Sequence, residues 1–270
     1  MALGPAETEP VAQDKRMPFP RQAILRPAAL MMTWFALLLA VSAQVQPAAA
    51  NRDRSVPTKP VVKEIAPGIV EVGAVRLDKK LRTVTFPAAL NMDDGLIEYL
   101  IVTTYGKTHE SLLRTEIEPY HLQVAMLLLG AKPAPPQPLA SAPPGGPISA
   151  EQLAHMEEVK GDPVSIEVSW TQDGRPRKKR IEELVLNLKT KSTMSRGEFT
   201  FNGSRVWEGT FIAQREGSIV STIIDPDAMI NNPRPGHEDD EIWQIIPKGL
   251  PPTKTPVTVI ITLQSEKPAQ

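Results

Sequence analysis

Three polar strings in this chain combine residue types that can do chemistry. The first is Gly106-Lys107-Thr108-His109-Glu110-Ser111. Gly106-Lys107-Thr108 has the ending of a phosphate-binding loop, but the glycine required five residues earlier is Ile101, so no phosphate cradle is expected. His109-Glu110 opens the H-E-x-x-H pattern of zinc proteases, but the second ligand position holds Leu113. The pair stays a candidate acid and base, or His109 a metal ligand joined by distant carboxylates. Lys107, Thr108 and Ser111 are the binding candidates beside it. The second string gathers Asp225, Asp227, His237, Asp239 and Asp240, with Glu238 and Glu241 between and after them. Its oxygens suit Ca²⁺, its spacing is not that of an EF-hand, and a solvated acidic loop would have the same composition. The third string is Arg175, Arg177, Lys178, Lys179 and Arg180. It could touch anionic glycans or lipid headgroups, or simply be a charged edge that blocks strand pairing. His121 lies in an apolar stretch and is expected to be packed rather than ligating. No G-x-S-x-G elbow accompanies any serine, so a hydrolase nucleophile has no support.

Two functional readings follow. One is a non-enzymatic binding or structural module with no cofactor, because no catalytic set is complete. The other is a metal-dependent enzyme, with Ca²⁺ or Zn²⁺ held by His109, Asp225, Asp227, His237, Asp239 and Asp240, and Glu110 assisting. Composition narrows both. Cysteine is absent, which excludes a catalytic thiol, disulfides and cysteine-ligated iron–sulfur clusters. With 30 basic and 31 acidic side chains the net charge is −1, so a nucleic-acid partner is not expected. Aromatic residues are 5%, few for a sugar-stacking groove.

The elements that must position these strings are unevenly distributed. Of 28 prolines, 15 fall within residues 1–60 and 131–150. Lys15, Arg16, Arg21 and Arg26 precede an uncharged run from Ala28 to Ala43, which ends in Val41-Ser42-Ala43, with Ala48-Ala49-Ala50 beyond. Basic, apolar, then small is the order of a secretory signal peptide. Residues 1–50 are therefore expected to direct export, with cleavage near 43 or 50. An uncleaved anchor is the alternative, and would be the sole membrane contact. Met17 is a possible true start. The expected location is periplasmic or secreted, with an envelope protein or glycan as the possible partner.

Residues 51–60 look like a linker, followed by a folded half over 61–131. Ile69–Val72, Val75–Asp78, Thr83–Phe86 and Leu96–Thr104 have strand character, the last expected to be central. Pro119–Leu129 predicts a helix, with proline at its first turn and Gly130 after it, apolar on nearly every face and so buried on more than one side. Residues 132–150 form a proline-rich insertion. Residues 151–265 are a second, β-rich half, opened by a short helix over 151–159. Asp173-Gly174 and Asn202-Gly203 are expected hairpin turns, with Ile181–Leu188 returning from the first. Thr210–Gln214 is expected to pair with Ser218–Ile224, and Ile242–Ile246 and Val257–Leu263 complete the strands. Residues 266–270 are a tail. The expected fold is a β-rich α+β protein with antiparallel sheets, sandwich-like in its C-terminal half, and one buried helix near 119–129.

Several strings resemble one family. Val70-Glu71-Val72-Gly73, Val84-Thr85-Phe86-Pro87-Ala88, Gly106-Lys107-Thr108-His109-Glu110-Ser111-Leu112-Leu113, Pro119-Tyr120-His121-Leu122, Asn231-Asn232-Pro233 and Asp239-Asp240-Glu241-Ile242-Trp243 are similar to the YdjY-type domain of exported bacterial proteins. The similarity covers roughly residues 68–264. It implies no catalytic roles, and it makes one composite domain more natural than two.

Overall fold

The computed structural model describes residues 56–134 and 160–264. Strands dominate. The first half gives β1 (Val62–Ala66), β2 (Ile69–Val72), β3 (Val75–Asp78), β4 (Thr83–Leu90), β5 (Tyr99–Thr103) and β6 (Ser111–Thr115), then helix α1 (Pro119–Leu128). The second half gives β7 (Asp162–Gln172), β8 (Arg175–Arg180), β9 (Val185–Asn187), β10 (Ser192–Thr193), β11 (Phe199–Phe201), β12 (Val206–Trp207) and β13 (Thr210–Phe211). Helix α2 (Ile212–Glu216), β14 (Ser218–Ser221), β15 (Ile230–Asn231), β16 (Trp243–Ile245) and β17 (Pro256–Leu263) complete it.

Eight of these strands close into a barrel in the order β4-β17-β7-β11-β15-β14-β5-β6, and β6 pairs back onto β4. The closing seam is short: Ala89 faces Arg114 and Leu90 faces Leu113. Closure leaves the ring no open edge. The core is read directly from cross-strand partners. Phe86 faces Val259, which faces Val168, and Val84 faces Ile261, which faces Ile166. All six are buried, as period-two alternation on a half-buried strand requires. The meander β1–β3 extends from β4, and β8 hangs on β7.

The expected α+β sandwich with antiparallel sheets is therefore wrong. This is a mostly-strand closed barrel with few helices. Two of its pairings, β5 with β6 and β14 with β15, are parallel. Each is made through a short connection, where parallel pairs ordinarily need a dozen residues or more. Such connections carry the polar signature of hairpin turns, and local pattern cannot tell the two apart.

The same limit explains the local differences. Asp173-Gly174 is the expected hairpin turn, both residues having positive φ (51° and 69°), as a primed turn requires. Its return strand is Arg175–Arg180, and Ile181–Leu184 is a single 3-10 turn. Asn202-Gly203 turns no hairpin: β11 pairs with β7 and β15, and β12 pairs with β13. Residues 212–216 coil into α2, and β14 pairs with β5. Helix α1 buries His121, Leu122, Ala125 and Met126 but leaves Leu127 and Leu128 exposed at 47% and 44%, so it is one-sided. Residues 1–55, 135–159 and 265–270 lie outside the description, and with them the expected signal segment, half of the linker, most of the proline-rich insertion, the helix over 151–159, and the tail. No helix among the described residues is long and apolar enough to cross a membrane.

Candidate functional site

A concentrated set of ionisable groups sits on one barrel rim, where β5 and β6 start and β14 ends. Tyr99 faces both Ser111 and Ser221 there. The connection from β5 brings Gly106 against the backbone of Gly217: a Cβ on Gly106 would lie 3.1 Å from the Gly217 carbonyl. Thr108–Glu110 then forms one 3-10 turn that leads into β6. The turn is tied on both sides. Asn91 Nδ2 donates to the carbonyls of Thr108 (2.6 Å) and Ser111 (2.8 Å), and Ser111 Oγ donates to the Lys107 carbonyl (2.5 Å).

Lys107 is the centre of the cluster. Its ammonium donates to Tyr99 Oη at 2.9 Å and lies 4.8 Å from the centre of that ring. Glu98 Oε2 is 3.7 Å away and Glu110 Oε1 3.6 Å away. Tyr99 Oη in turn donates to Asp225 Oδ2 (2.9 Å), and Asp225 Oδ1 accepts from the Asp227 amide (2.8 Å). A chain of bonds thus runs from a half-exposed lysine through a buried tyrosine to a half-buried carboxylate.

The fields around these groups differ. Burial pushes the Asp225 carboxyl above its ordinary value, and the charge of Asp227 adds to the push. Burial also raises Glu98, with Glu110 adding and Lys107 opposing. Tyr99 is driven far up by burial and by Asp225, so its hydroxyl stays protonated and donates.

The residues singled out from sequence are only partly brought together. Lys107, Glu110 and Asp225 join this cluster; Thr108 and Ser111 hold its turn. His109 is 78% exposed, with Nε2 3.5 Å from Glu110 Oε2. Asp227 pairs with Arg205 Nε at 2.5 Å. His237 Nδ1 is 2.8 Å from the Asn232 carbonyl. Asp239 is held by Lys189 Nζ at 2.7 Å, and that ion pair lowers its carboxyl. Asp240 is exposed and close enough to raise Glu98. No group of three or more His, Cys, Asp or Glu among the described residues is arranged to hold a metal ion.

Glu98 and Tyr99 escaped sequence reasoning because they sit inside an apolar strand run; two adjacent polar groups in L-I-E-Y-L-I-V were the available signal. A second missed group is structural. Glu182, 2% exposed, accepts from Arg180 Nη2 (2.7 Å) and Arg234 Nη2 (3.2 Å). Arg234 also donates to the Ser195 carbonyl and lies 4.5 Å from the Phe199 ring centre. This buried arginine–glutamate–arginine set joins three segments with no signature in local pattern.

A scan against family models finds the YdjY domain over residues 75–262. No curated protein and no solved structure matches the chain.

Proposed function

We propose that this chain, which belongs to the YdjY domain family, is an exported, non-enzymatic binding or structural module of the cell envelope. One observation carries the non-enzymatic part. Lys107, Glu110 and Ser111 of the 106–111 string are engaged in holding the rim: Lys107 on Tyr99, Glu98 and Glu110, and Ser111 on its own turn. The remaining ring, His109, faces solvent on a closed barrel wall. A general base works inside a cleft, within hydrogen-bond reach of a bound substrate. An outward imidazole beside a carboxylate suits display to a partner. Support for export is the order of basic, apolar and small residues before residue 51, together with a chain that has no cysteine to mispair outside the cytoplasm.

Two measurements test this. Expressed with its own N-terminus in a Gram-negative host, the chain is expected in the periplasmic fraction, shortened at about residue 43 or 50 by intact mass. An unprocessed cytosolic chain overturns export. The protein purified without chelator is expected to carry no stoichiometric metal and to show no melting shift with Ca²⁺ or Zn²⁺. One equivalent of either ion, lost in a His109→Ala variant, overturns the non-enzymatic reading.

A further inference from the structure

Six of the ten aromatic residues among the described ones are buried. The other four, Tyr105, Tyr120, Trp207 and Phe211, all stand on or against the excursion of residues 203–216 between β11 and β14. Tyr105 Oη donates to the Gln214 carbonyl (2.7 Å), and the Tyr120 amide donates to Gln214 Oε1 (3.2 Å). The Tyr120 and Phe211 rings meet edge to face, 6.1 Å apart at 69°, which makes a notch rather than a flat sugar platform. In the β12–β13 hairpin Val206 faces Phe211, so both stand on one side, and Trp207 stands with Thr210 on the other. Val206 is 60% exposed, so the Phe211 side is open there. Tyr120 Oη meets no acceptor among the described residues.

The proline-rich stretch starts beside this notch. The Ala134 amide donates to the Asn202 carbonyl (3.1 Å), and a Cβ on Gly203 would lie 2.5 Å from Pro133 Cβ and 3.2 Å from Gln123 Nε2. Pro133 thus sits by Gln123, one helical turn from Tyr120 on α1, about 5–6 Å along the helix. The far end of the stretch returns to the same place: Lys132 and Asp162 are joined by two hydrogen bonds, 2.8 and 3.2 Å. Residues 135–159 therefore have no gap to bridge. We propose that residues 135–147 dock as a polyproline II ribbon on the Tyr120–Phe211–Val206 face of their own barrel. Six of these thirteen residues are proline, in two P-x-x-P spacings, Pro135 to Pro138 and Pro144 to Pro147, and none is charged. Such a ribbon is extended before it binds, so ordering it costs little entropy, and it suits an aromatic-lined notch. Its prolines have no N–H but keep their carbonyl acceptors, and Tyr120 Oη is a donor in want of one. Gln123 Oε1, a buried acceptor with no donor among the described residues, lies at the same exit, within reach of the first N–H of the stretch, that of Gln137. The proposal is independent of the export reading and of the Lys107 rim.

The test uses residues 51–270, the compact unit that contains every strand of the barrel. Backbone order parameters from NMR relaxation at Leu139, Ala140, Ser141 and Ala142 are expected near about 0.85, as in a rigid body. In Val206→Asp, at a position exposed enough to spare the fold, they should drop below about 0.6. Leu96→Asp, at another exposed position (46%) before β5, should leave them unchanged. A chain with residues 135–147 replaced by Gly and Ser should bind a synthetic peptide of residues 132–147 in calorimetry. The intact chain should bind it at least about tenfold more weakly, because its own tethered stretch competes at an effective concentration on the order of millimolar. Low order parameters in the wild type overturn the proposal, as does order that survives Val206→Asp. Equal peptide affinity for the two chains overturns it as well. A dimer on size exclusion that Val206→Asp dissolves overturns docking within one chain in favour of a second copy. If the Gly/Ser chain does not fold, the relaxation comparison of wild type with Val206→Asp still decides.

Discussion

Lys107 holds together groups that would otherwise repel. Glu98 and Glu110 converge on one ammonium, Asp225 is joined to it through Tyr99, and burial has already raised Glu98 and Asp225 above their ordinary values. In both cases the folded state binds a proton more readily than the unfolded chain. Stability from these groups is therefore complete below the ordinary carboxylate range, and it falls as pH climbs from there to the raised folded values. Glu98→Gln removes one of the two contributions while keeping the shape. The melting temperature of the variant relative to wild type should thus rise as pH climbs above the ordinary carboxylate range. Parallel melting profiles across that range would show that the fold does not raise the Glu98 carboxyl. At this scale the sequence revealed polar strings but not their partners. His109 and Glu110 stood out as adjacent letters, whereas Glu98 reaches Lys107 only because β5 and β6 run side by side.

Elements meet through a few close approaches, and one of them brings the β2–β3 turn against α1. Gly73 has φ of 59°, and a Cβ there would collide with His121 Nδ1. His121 Nε2 in turn lies 3.1 Å from the Thr58 carbonyl, and Thr58 Oγ1 donates to Glu118 (2.6 Å), so residue 58 is fastened to the start of α1. Gly73→Ala should cost about 2–4 kcal/mol, because the left-handed backbone and the displaced imidazole add. His121→Ala should recover the steric share only. Chemical denaturation of the two single variants and the double variant measures the coupling, and a strictly additive cycle would mean that the turn and the helix do not touch. The sequence marked most of these elements well: β2, β3, β17, α1 and the Asp173-Gly174 turn lie where periodicity and turn chemistry put them, while β4, expected over Thr83–Phe86, runs on through Pro87 to Leu90. It misplaced β8 and the partners of β11 and β14. Strand character is local, while the choice of neighbour is set by side-chain layers that form only when the sheet closes.

Closure ties the two halves of the chain into one cooperative object. Residues 56–134 supply β4, β5 and β6 to the ring, and residues 160–264 supply the other five strands. The halves meet at two junctions, the seven-pair ladder of β4 with β17 and the β5–β14 pairing. Neither half can cover its apolar face alone: Phe86 packs on Val259, and Leu100, Ile101, Leu112 and Leu113 share the core with Val220 and Ile230. Covalent continuity between residues 134 and 160 is then not needed to hold the barrel once it has formed, because non-covalent burial on the scale of a whole domain joins the pieces. A protease site inserted between residues 135 and 159, cut after folding, should yield two fragments that elute together on native size exclusion and melt in one transition. Because the cut protein is a heterodimer, its melting temperature should rise with concentration, while that of the uncut chain should not. Fragments that part in native buffer, or that melt in two steps, would show instead two independently stable halves and would remove the closed ring as the unit of folding.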